Sequence, residues 1–350
     1  MNETPRVTVL MPVYNERVYL DTAIESILGQ SFTEFELLIV DDGSDGSVAH
    51  NIDRWAVRDS RIRVLRNATN LGVTAALNRG LAAANGEFLA RQDADDISLP
   101  QRLQVQVGYF EQHPQHILLG CDCALIDGRG RVTAIDSMGW ADYELRLISM
   151  VRTPIVHSSA MFRMGPVRVH GLAYDENYLS AEDFDLWVRM QAFGELAVIP
   201  EVLVHYRLHA ATISSRRQTE QHRNMRDIAL ASSLQSLTKL SAHRAQLEAF
   251  LDLLYLRLPQ TAQSIGMACD GAEAIAGEFS RASALTAAQQ YRVRRLCARW
   301  LAMGLWRSRS WRHPFSMSPL LRRAPSLAGP LLAELADFSR RRIRGRTLGS

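Results

Sequence analysis

Cysteine and long apolar runs are both scarce in this sequence. The four cysteines, Cys121, Cys123, Cys269 and Cys297, form no C-x-x-C pair, so neither a zinc ribbon nor a redox pair is predicted. No run of about 18 apolar residues occurs, so no spanning helix is expected. The first apolar run is short and contains Pro12, so no secretory signal is expected either. These absences predict a reducing, cytoplasmic location.

Neither sign of charge dominates the sequence, since 40 basic residues stand against 37 acidic ones and the formal net charge is only +3. The total therefore indicates no partner. Arginines are nevertheless concentrated after Arg292, where Trp300, Trp306 and Trp311 lie among them. This pattern suits peripheral contact with membrane headgroups, and nucleic acid is the less expected anionic partner. A helical cap with a solvated arginine face gives the same pattern, so both interpretations stay open.

Glycine-rich phosphate loops are missing as well. No G-x-G-x-x-G or G-x-x-x-x-G-K-[ST] motif occurs, which argues against a dinucleotide-dependent dehydrogenase and a P-loop NTPase. What the N-terminal half does contain is an alternation of short apolar runs with helical patterns, typical of an α/β fold with a mainly parallel, Rossmann-like sheet and flanking helices. From about residue 219, long helical patterns take over. The predicted organisation is an α/β domain over 1–215, a helical region over 216–340 and a disordered tail over 341–350.

Polar clusters follow three of the predicted strands. They are Pro12–Glu16, Asp41–Ser44 and Asp93–Asp96. In an open α/β sheet, ligands bind beyond the carboxyl ends of the strands. We therefore expect the three clusters to meet in one cleft.

The cluster Asp93–Asp96 is the most suggestive chemically. Alternating carboxylates direct Asp93 and Asp95 toward one side, where Mg²⁺ or Mn²⁺ could bind with phosphate oxygens and water as further ligands. The competing interpretation makes Asp96 the N-cap of the next helix and leaves the other acids in solvent.

The cluster Asp41–Ser44 is ambiguous by itself, because Asp-Gly-Ser is ordinary turn chemistry. A nucleotide, however, needs an acceptor for the imide N–H of its base and a flat ring for stacking. Asp42 and Tyr14 could provide these two groups.

Several motifs, in order, carry a resemblance to a known family. They read VTVLMPVYNE over Val7–Glu16, ELLIVDDGS over Glu36–Ser44, ANGEF over Ala84–Phe88, and Asp93-Ala94-Asp95. Later, Glu182-Asp183 is followed by Leu186, Trp187 and Arg189. Over about residues 5–215 the sequence resembles family 2 inverting glycosyltransferases of the GT-A fold.

The resemblance implies a role for each matching residue. The nucleotide-sugar would be bordered by Pro12, Tyr14, Glu16, Asp41, Asp42, Asn70, Asp93 and Ala94. Asp95 would hold the cation that bridges both phosphates. Asp183 would be the general base that takes the proton of the acceptor hydroxyl, with Glu182 as the competing choice. Without catalysis, this acidic pair would simply favour the positive end of a helix dipole.

Three further residues are candidates by the same resemblance. His157 would lie near the diphosphate or the acceptor, and His209, in a Y-R-x-H motif, would approach the phosphates or the metal. Arg207 would pair with phosphate oxygens, which suits a planar guanidinium. Either histidine could instead be a packing residue.

The implied activity is transfer of a sugar from a nucleotide-sugar, by analogy a UDP-sugar, to a saccharide or lipid-linked acceptor during synthesis of a surface polysaccharide or lipopolysaccharide. A sugar nucleotidyltransferase is one alternative, although it would open with a glycine-rich loop after the first strand. A catalytically silent binding module of the same fold is the other alternative.

Overall fold

The computed structural model describes residues 4–137, 140–208, 218–256, 261–307 and 322–343. Contacts divide the chain into two compact units. The α/β unit comprises Met1–Arg146 and Thr153–Arg216, and the helical unit comprises Leu147–Arg152 and Arg217–Ser350.

One mixed sheet forms the centre of the α/β unit. Its strands are β1 (Val7–Val13), β2 (Phe35–Asp41), β3 (Ile62–Arg66), β4 (Phe88–Arg91), β5 (Ile97–Ser98), β6 (His116–Ile126), β7 (Val132–Asp136), β8 (Met161–Arg163) and β9 (Glu195–Arg207). The strand order is β3-β2-β1-β4-β8-β6-β9-β5, with β7 paired to β6. The β3-β2-β1-β4 half is parallel, and β6 also runs parallel to β9. The other pairs are antiparallel, so the parallel half places its carboxyl ends at one edge.

Helices flank this sheet. They are α1 (Leu20–Leu28), α2 (Gly46–Arg58), α3 (Val73–Ala83), α4 (Arg102–Gln112), α5 (Asp142–Ser149), α6 (Met164–His170) and α7 (Glu182–Met190), with a 3-10 turn at His157–Ser159. Strand β1 is almost continuously apolar because both of its faces are buried. Val9 packs with Ile24 of α1 on one face, and Leu10 packs with Leu77 of α3 on the other. This packing fixes where β1 ends and where its polar loop begins.

Gly86, two residues before β4, lies against the backbone of β1. A Cβ at this position would be 2.4 Å from the Thr8 backbone nitrogen and 2.6 Å from the Phe88 carbonyl oxygen. Because neighbouring backbone cannot yield like a side chain, we expect Gly86→Ala to lower the free energy of unfolding by about 3 kcal/mol. Gly108→Ala in α4 is the matched control, since a methyl group at that position would have nothing within 4 Å, and it should raise stability by up to about 1 kcal/mol. Equal urea midpoints for the two variants would refute the expectation.

The segment Ser158–Phe162 is only partly a strand. It begins as the 3-10 turn His157–Ser159, and strand β8 starts only at Met161. The Ser159 N–H donates to the Val156 carbonyl, closing the turn. The Ser158 hydroxyl donates to Asp93 rather than lying along a strand.

The helical unit consists of α8 (Gln218–Ser236), α9 (Arg244–Tyr255), α10 (Ala262–Ala282), α11 (Ala287–Arg307) and α12 (Ala328–Ile343), with a 3-10 turn at Thr238–His243. Residues 147–152 belong to it because the Ser233 hydroxyl donates to the Met150 carbonyl and the Tyr255 hydroxyl to that of Val151. The last helix includes residues 341–343 of the predicted tail, and 344–350 lie outside the described residues.

Neither of the two tryptophans that the structure describes in this unit is exposed. Trp300 is only 4% exposed and packs inside the unit, and Trp306 is half-buried. Trp311 lies outside the described residues. Among the helices described, none combines the length and the apolar character needed to cross a membrane.

Candidate active site

The loops that follow β1 and β2 are tied together by Asn15. Its backbone N–H donates to the Ser44 hydroxyl at 3.0 Å, and its side-chain oxygen accepts from the Asp45 N–H at 2.9 Å. To make both bonds Asn15 adopts a left-handed conformation with φ of 54°, which asparagine tolerates better than most residues. Next to it, Tyr14 is 52% exposed and leaves its ring accessible for stacking, while Pro12 is half-buried at the end of β1.

Both acids at the end of β2 are buried, and each shapes a turn. The Asp41 carboxylate accepts from the Ser44 N–H at 2.9 Å and from Arg66 Nε at 2.8 Å. The Asp42 carboxylate accepts from Asn67 Nδ2 and the Leu71 N–H through Oδ1, and from the Gly72 N–H through Oδ2. A carboxylate offers about four acceptor positions. Asp42 therefore keeps one position, on Oδ2, for a further donor.

Two other residues predicted to border the nucleotide hold the turns that precede helices. Glu16 accepts from the N–H groups of Val18 and Tyr19 at 2.7 and 2.8 Å, ahead of α1. The Asn70 side chain is exposed and accepts from the Gly72 N–H at 3.0 Å, just before α3. These contacts shape the turns that lead into the two helices, so both residues have a local structural role in addition to any ligand contact.

Asp93 joins the end of β4 to the turn at His157. Its Oδ1 accepts from Nη2 of the buried Arg91 at 2.6 Å, and its Oδ2 accepts from the Ser158 hydroxyl. Burial would raise the pKa of Asp93, but the positive charge of Arg91 and these hydrogen bonds leave the pKa below its ordinary value. Asp93 is therefore a carboxylate at neutral pH. Ala94 beside it is buried.

Arg207, at the end of β9, holds the backbone around Asp95 and Asp96. Its Nε donates to the Asp95 carbonyl at 2.7 Å, its Nη1 to the Asp127 carbonyl at 3.1 Å, and its backbone N–H to Asp96 Oδ1 at 2.7 Å. The guanidinium also stacks on the Tyr19 ring at 4.1 Å. Two of the three guanidinium nitrogens thus bind backbone carbonyls.

Asp96 is not a helix cap. The short strand β5 follows it, and α4 begins only at Arg102 with Gln101 as its N-cap. Asp96 is 1% exposed, and its Oδ2 has no hydrogen-bond partner among the residues described. Burial, reinforced by the charges of Asp93 and Asp95, raises the pKa of Asp96 well above its ordinary value.

A metal at this loop would depend on ligands from the substrate. Asp95 is half-buried, and within the described part of the chain no three His, Cys, Asp or Glu side chains are arranged to hold a metal ion. Mg²⁺ commonly takes one or two carboxylates and completes its shell with phosphate oxygens and water. The donor set fits a cation bound in that way. His209, the other predicted ligand, lies outside the described residues.

The acidic pair Glu182-Asp183 opens α7, behind a left-handed Ala181 with φ of 68°. Asp183 Oδ1 accepts from the Phe184 N–H at 2.8 Å. Burial raises the pKa of Asp183 to about 6. For Glu182, burial and then the charge of Asp183 raise the pKa to about 7. A carboxylate with such a pKa accepts a proton more readily than an ordinary acid does.

His157 links this pair to a buried tyrosine. Its Nε2 lies 3.0 Å from the Tyr174 hydroxyl, and its Nδ1 lies 3.9 Å from Glu182 Oε1. Burial lowers the pKa of His157 well below its ordinary value, so the ring is neutral at pH 7. The backbone of Tyr174 is fixed by the side-chain amide of Asn78 on α3. Asn78 Nδ2 donates to the Tyr174 carbonyl, and Asn78 Oδ1 accepts from the Tyr174 N–H, both at 2.9 Å.

The charges at the end of β4 act on the acids at the start of α7. Arg91 lowers and Asp93 raises the pKa of both Glu182 and Asp183. Contacts connect the two places: the Asp93 carboxylate accepts from the Ser158 hydroxyl, and the neighbouring His157 lies 3.9 Å from Glu182 Oε1. The structure therefore brings Asp93 and Asp183 to one region, although 90 positions separate them in the sequence.

The sequence interpretation missed three contributors to this region: Arg91, Ser158 and Tyr174. Arg91 could have been predicted from the sequence, because a charged residue in an otherwise apolar strand needs a partner when it is buried. Ser158 and Tyr174 could not, since their roles depend on contacts with Asp93 and His157.

Comparisons with known proteins match this region. Residues 8–171 match the profile of glycosyl transferase family 2. An uncharacterised glycosyltransferase of Haemophilus influenzae is 30% identical over 236 residues, which are 65% of this chain and 73% of that protein. This chain belongs to glycosyltransferase family 2. It is therefore a glycosyltransferase, as the motifs predicted, and not a sugar nucleotidyltransferase.

Two more similar proteins extend the family comparison. The amylovoran biosynthesis glycosyltransferase AmsE of Erwinia amylovora is 29% identical over 216 residues, covering 60% of this chain and 79% of that protein. The structure of S. aureus TarS 1–349 in complex with UDP-GlcNAc superposes with a TM-score of 0.57 at 17% identity, covering 98% and 93% of the two chains. At that identity the similarity concerns the fold. The predicted GT-A class, with helices after the sheet, is confirmed.

Proposed function

We propose that this family 2 enzyme transfers a sugar from a UDP-sugar to a hydroxyl group of a saccharide or lipid-linked acceptor, with inversion at the anomeric carbon. The observation that carries the proposal is the turn His157–Ser159, which contacts Asp93 at a strand end through Ser158 and the acidic pair Glu182-Asp183 through His157. TarS, whose structure holds UDP-GlcNAc, supports a nucleotide-sugar donor by its fold. AmsE, named for amylovoran biosynthesis, supports a role in surface polysaccharide or lipopolysaccharide synthesis.

Asp183 is the proposed general base. In a single displacement, the acceptor oxygen attacks the anomeric carbon, its proton passes to a carboxylate, and the bond to the nucleoside diphosphate breaks on the opposite side. Asp183 has a raised pKa, and one of its oxygens is held by the Phe184 N–H. Glu182 is the alternative base, but it faces His157, which suits a role in orienting the sugar or the acceptor.

The nucleotide would lie along the ends of β1, β2 and β4. The exposed Tyr14 ring offers a stacking surface beside Pro12, and the remaining acceptor position of Asp42 could receive the imide N–H of uracil. Asp93 would reach the ribose, with Glu16, Asp41, Asn70, Ala94, His157 and Arg207 as further borders of the donor site.

Asp95 and His209 would be the residues that hold Mn²⁺ or Mg²⁺ when the donor diphosphate is bound. The bound cation would supply positive charge that stabilises the leaving diphosphate. For the chain as a whole, we propose a catalytic domain over 1–215, a helical region over 216–340, and peripheral contact with the cytoplasmic face of the membrane.

The direct test is a screen of nucleotide sugars with Mn²⁺, followed by NMR of the product formed on a saccharide acceptor. We expect a UDP-sugar to be consumed and the new linkage to have the opposite anomeric configuration. A retained configuration would overturn inversion, and consumption of only non-uridine donors would overturn the proposed nucleotide. Binding of UDP-sugars with no turnover on any acceptor would favour the catalytically silent module.

A further inference from the structure

Arg102, at the start of α4, is a completely buried guanidinium with every N–H group satisfied. Its five N–H groups meet five acceptors, none of them a carboxylate. They are Gln106 Oε1 at 3.2 Å from Nε, Gln92 Oε1 at 3.1 Å and Ser98 Oγ at 2.8 Å from Nη1, and the carbonyls of Arg91 at 2.8 Å and Ala160 at 3.2 Å from Nη2.

Four of these acceptors lie in or next to two segments that carry the site, and the fifth, Gln106, is on α4 itself. Gln92 and Ser98 bracket the loop that presents Asp93 and Asp95. The Ala160 carbonyl follows the turn His157–Ser159, whose last carbonyl accepts from Gln106 Nε2 at 2.8 Å. Arg102 therefore bonds to both segments from the interior side.

A buried cation without a hydrogen-bonded carboxylate is costly, because its desolvation is not offset by an ion pair. Packing alone would be served as well by an apolar side chain of similar volume. What an apolar side chain cannot do is fix two separate backbone segments through directed hydrogen bonds. The planar fork of arginine does so with little loss of conformational freedom.

We propose that Arg102 is a positioning residue that sets the distance between the Asp93–Asp95 loop and the turn His157–Ser159. It acts through those segments and does not itself contact the donor. The inference rests on the proposed function, since its consequence is measured on the binding of a nucleoside diphosphate with a cation.

The test compares Arg102→Lys with Arg163→Lys. Lysine keeps the charge at position 102 but replaces the five-donor fork by three donors on a single nitrogen. Arg163, the last residue of β8, is the matched control. Its guanidinium also donates to backbone carbonyls, those of His116 and Phe110. The readouts are calorimetric binding of UDP with and without Mn²⁺, and hydrogen exchange of residues 92–98 and 157–160.

In Arg102→Lys we expect UDP affinity in the presence of Mn²⁺ to fall about tenfold or more, since small misplacements in a site have large effects. Faster exchange should be confined to those two segments, and Arg163→Lys should show neither change. If both variants lose similar thermal stability while UDP binding and exchange in the two segments stay unchanged, Arg102 is only structural and the inference fails.

A second variant and a second readout keep the test decisive. If Arg102→Lys does not fold, Gln106→Met is tested instead, because it removes the bond to Ser159 and one acceptor of Arg102. Hydrogen exchange at residues 157–160 should then still accelerate. Unchanged exchange in this variant overturns the inference. If the wild type binds no UDP with Mn²⁺, the proposed function fails by itself. The exchange pattern of Arg102→Lys then still decides whether Arg102 positions the two segments.

Discussion

Asp183→Asn should lower the rate of sugar transfer about 1,000-fold, within the range found for loss of a general base. Asparagine keeps the size and can still accept from the Phe184 N–H, but it cannot take the proton of the acceptor hydroxyl. UDP binding should change by less than about twofold, because the group acts on the acceptor in the transition state. Transfer is measured at saturating donor. Glu182→Gln is the matched control and should lose much less activity.

The pH dependence gives this prediction a second readout. Because burial raises the pKa of Asp183 to about 6, the wild-type rate should fall as the pH drops below 6, and the Asn variant should lack this limb. A raised carboxyl pKa means that the folded state holds the proton more tightly than the unfolded state. Its contribution to stability is then full below pH 4 and is lost as the pH rises through 6.

This pH dependence of the Asp183 contribution to stability predicts how the melting temperature of the variant changes. Asp183→Asn should raise the melting temperature at pH 8, where the wild type buries a charge, and change it little at pH 4. Unchanged transfer in the variant would remove Asp183 as the base. Equal loss in Glu182→Gln would assign the proton transfer to the pair instead.

Asp95→Asn should abolish the gain in UDP affinity that Mn²⁺ provides, a loss of about 10- to 100-fold. The amide keeps a neutral oxygen but not the negative charge that a hard divalent cation prefers. Calorimetric titration of UDP with and without Mn²⁺ measures the gain directly. Asp227→Asn, an exposed acid on α8 paired with Arg226, is the control and should keep the full metal effect.

Two results would contradict the assignment of Asp95. One is wild-type binding of UDP that is equally tight without a divalent cation. The other is a metal effect that survives in Asp95→Asn. The first would argue against a metal in the reaction, and the second would leave the metal but move its ligand to another residue.

The parts of the fold that could be predicted are those with a local pattern. Strands β1, β2 and β4 are near-continuous apolar runs because burial of both faces demands such runs, and each strand ends within two residues of the start of its polar cluster. The polar clusters were found for the same reason, since each begins where an apolar run ends. Periodicity also indicated that helices follow the α/β part.

The interior of the site could not be predicted, because its contacts join distant parts of the chain. The hydrogen bond from Ser158 to Asp93 spans 65 positions, and the one from Arg207 to the Asp95 carbonyl spans 112. A side chain's type does not say which of its potential partners folding will bring near. Trp300 shows the same limit, since an aromatic ring among arginines has the same pattern whether it is buried or exposed.

The membership of residues 147–152 in the helical unit has a consequence for shortening the chain. Met150 and Val151 are buried, and their carbonyls accept from Ser233 and Tyr255, which come much later in the sequence. A protein cut at residue 216 would keep this segment and lose both donors. Unpaired buried carbonyls and newly bared apolar side chains favour aggregation. Excising the α/β part as an independent enzyme would therefore require redesign of this six-residue segment.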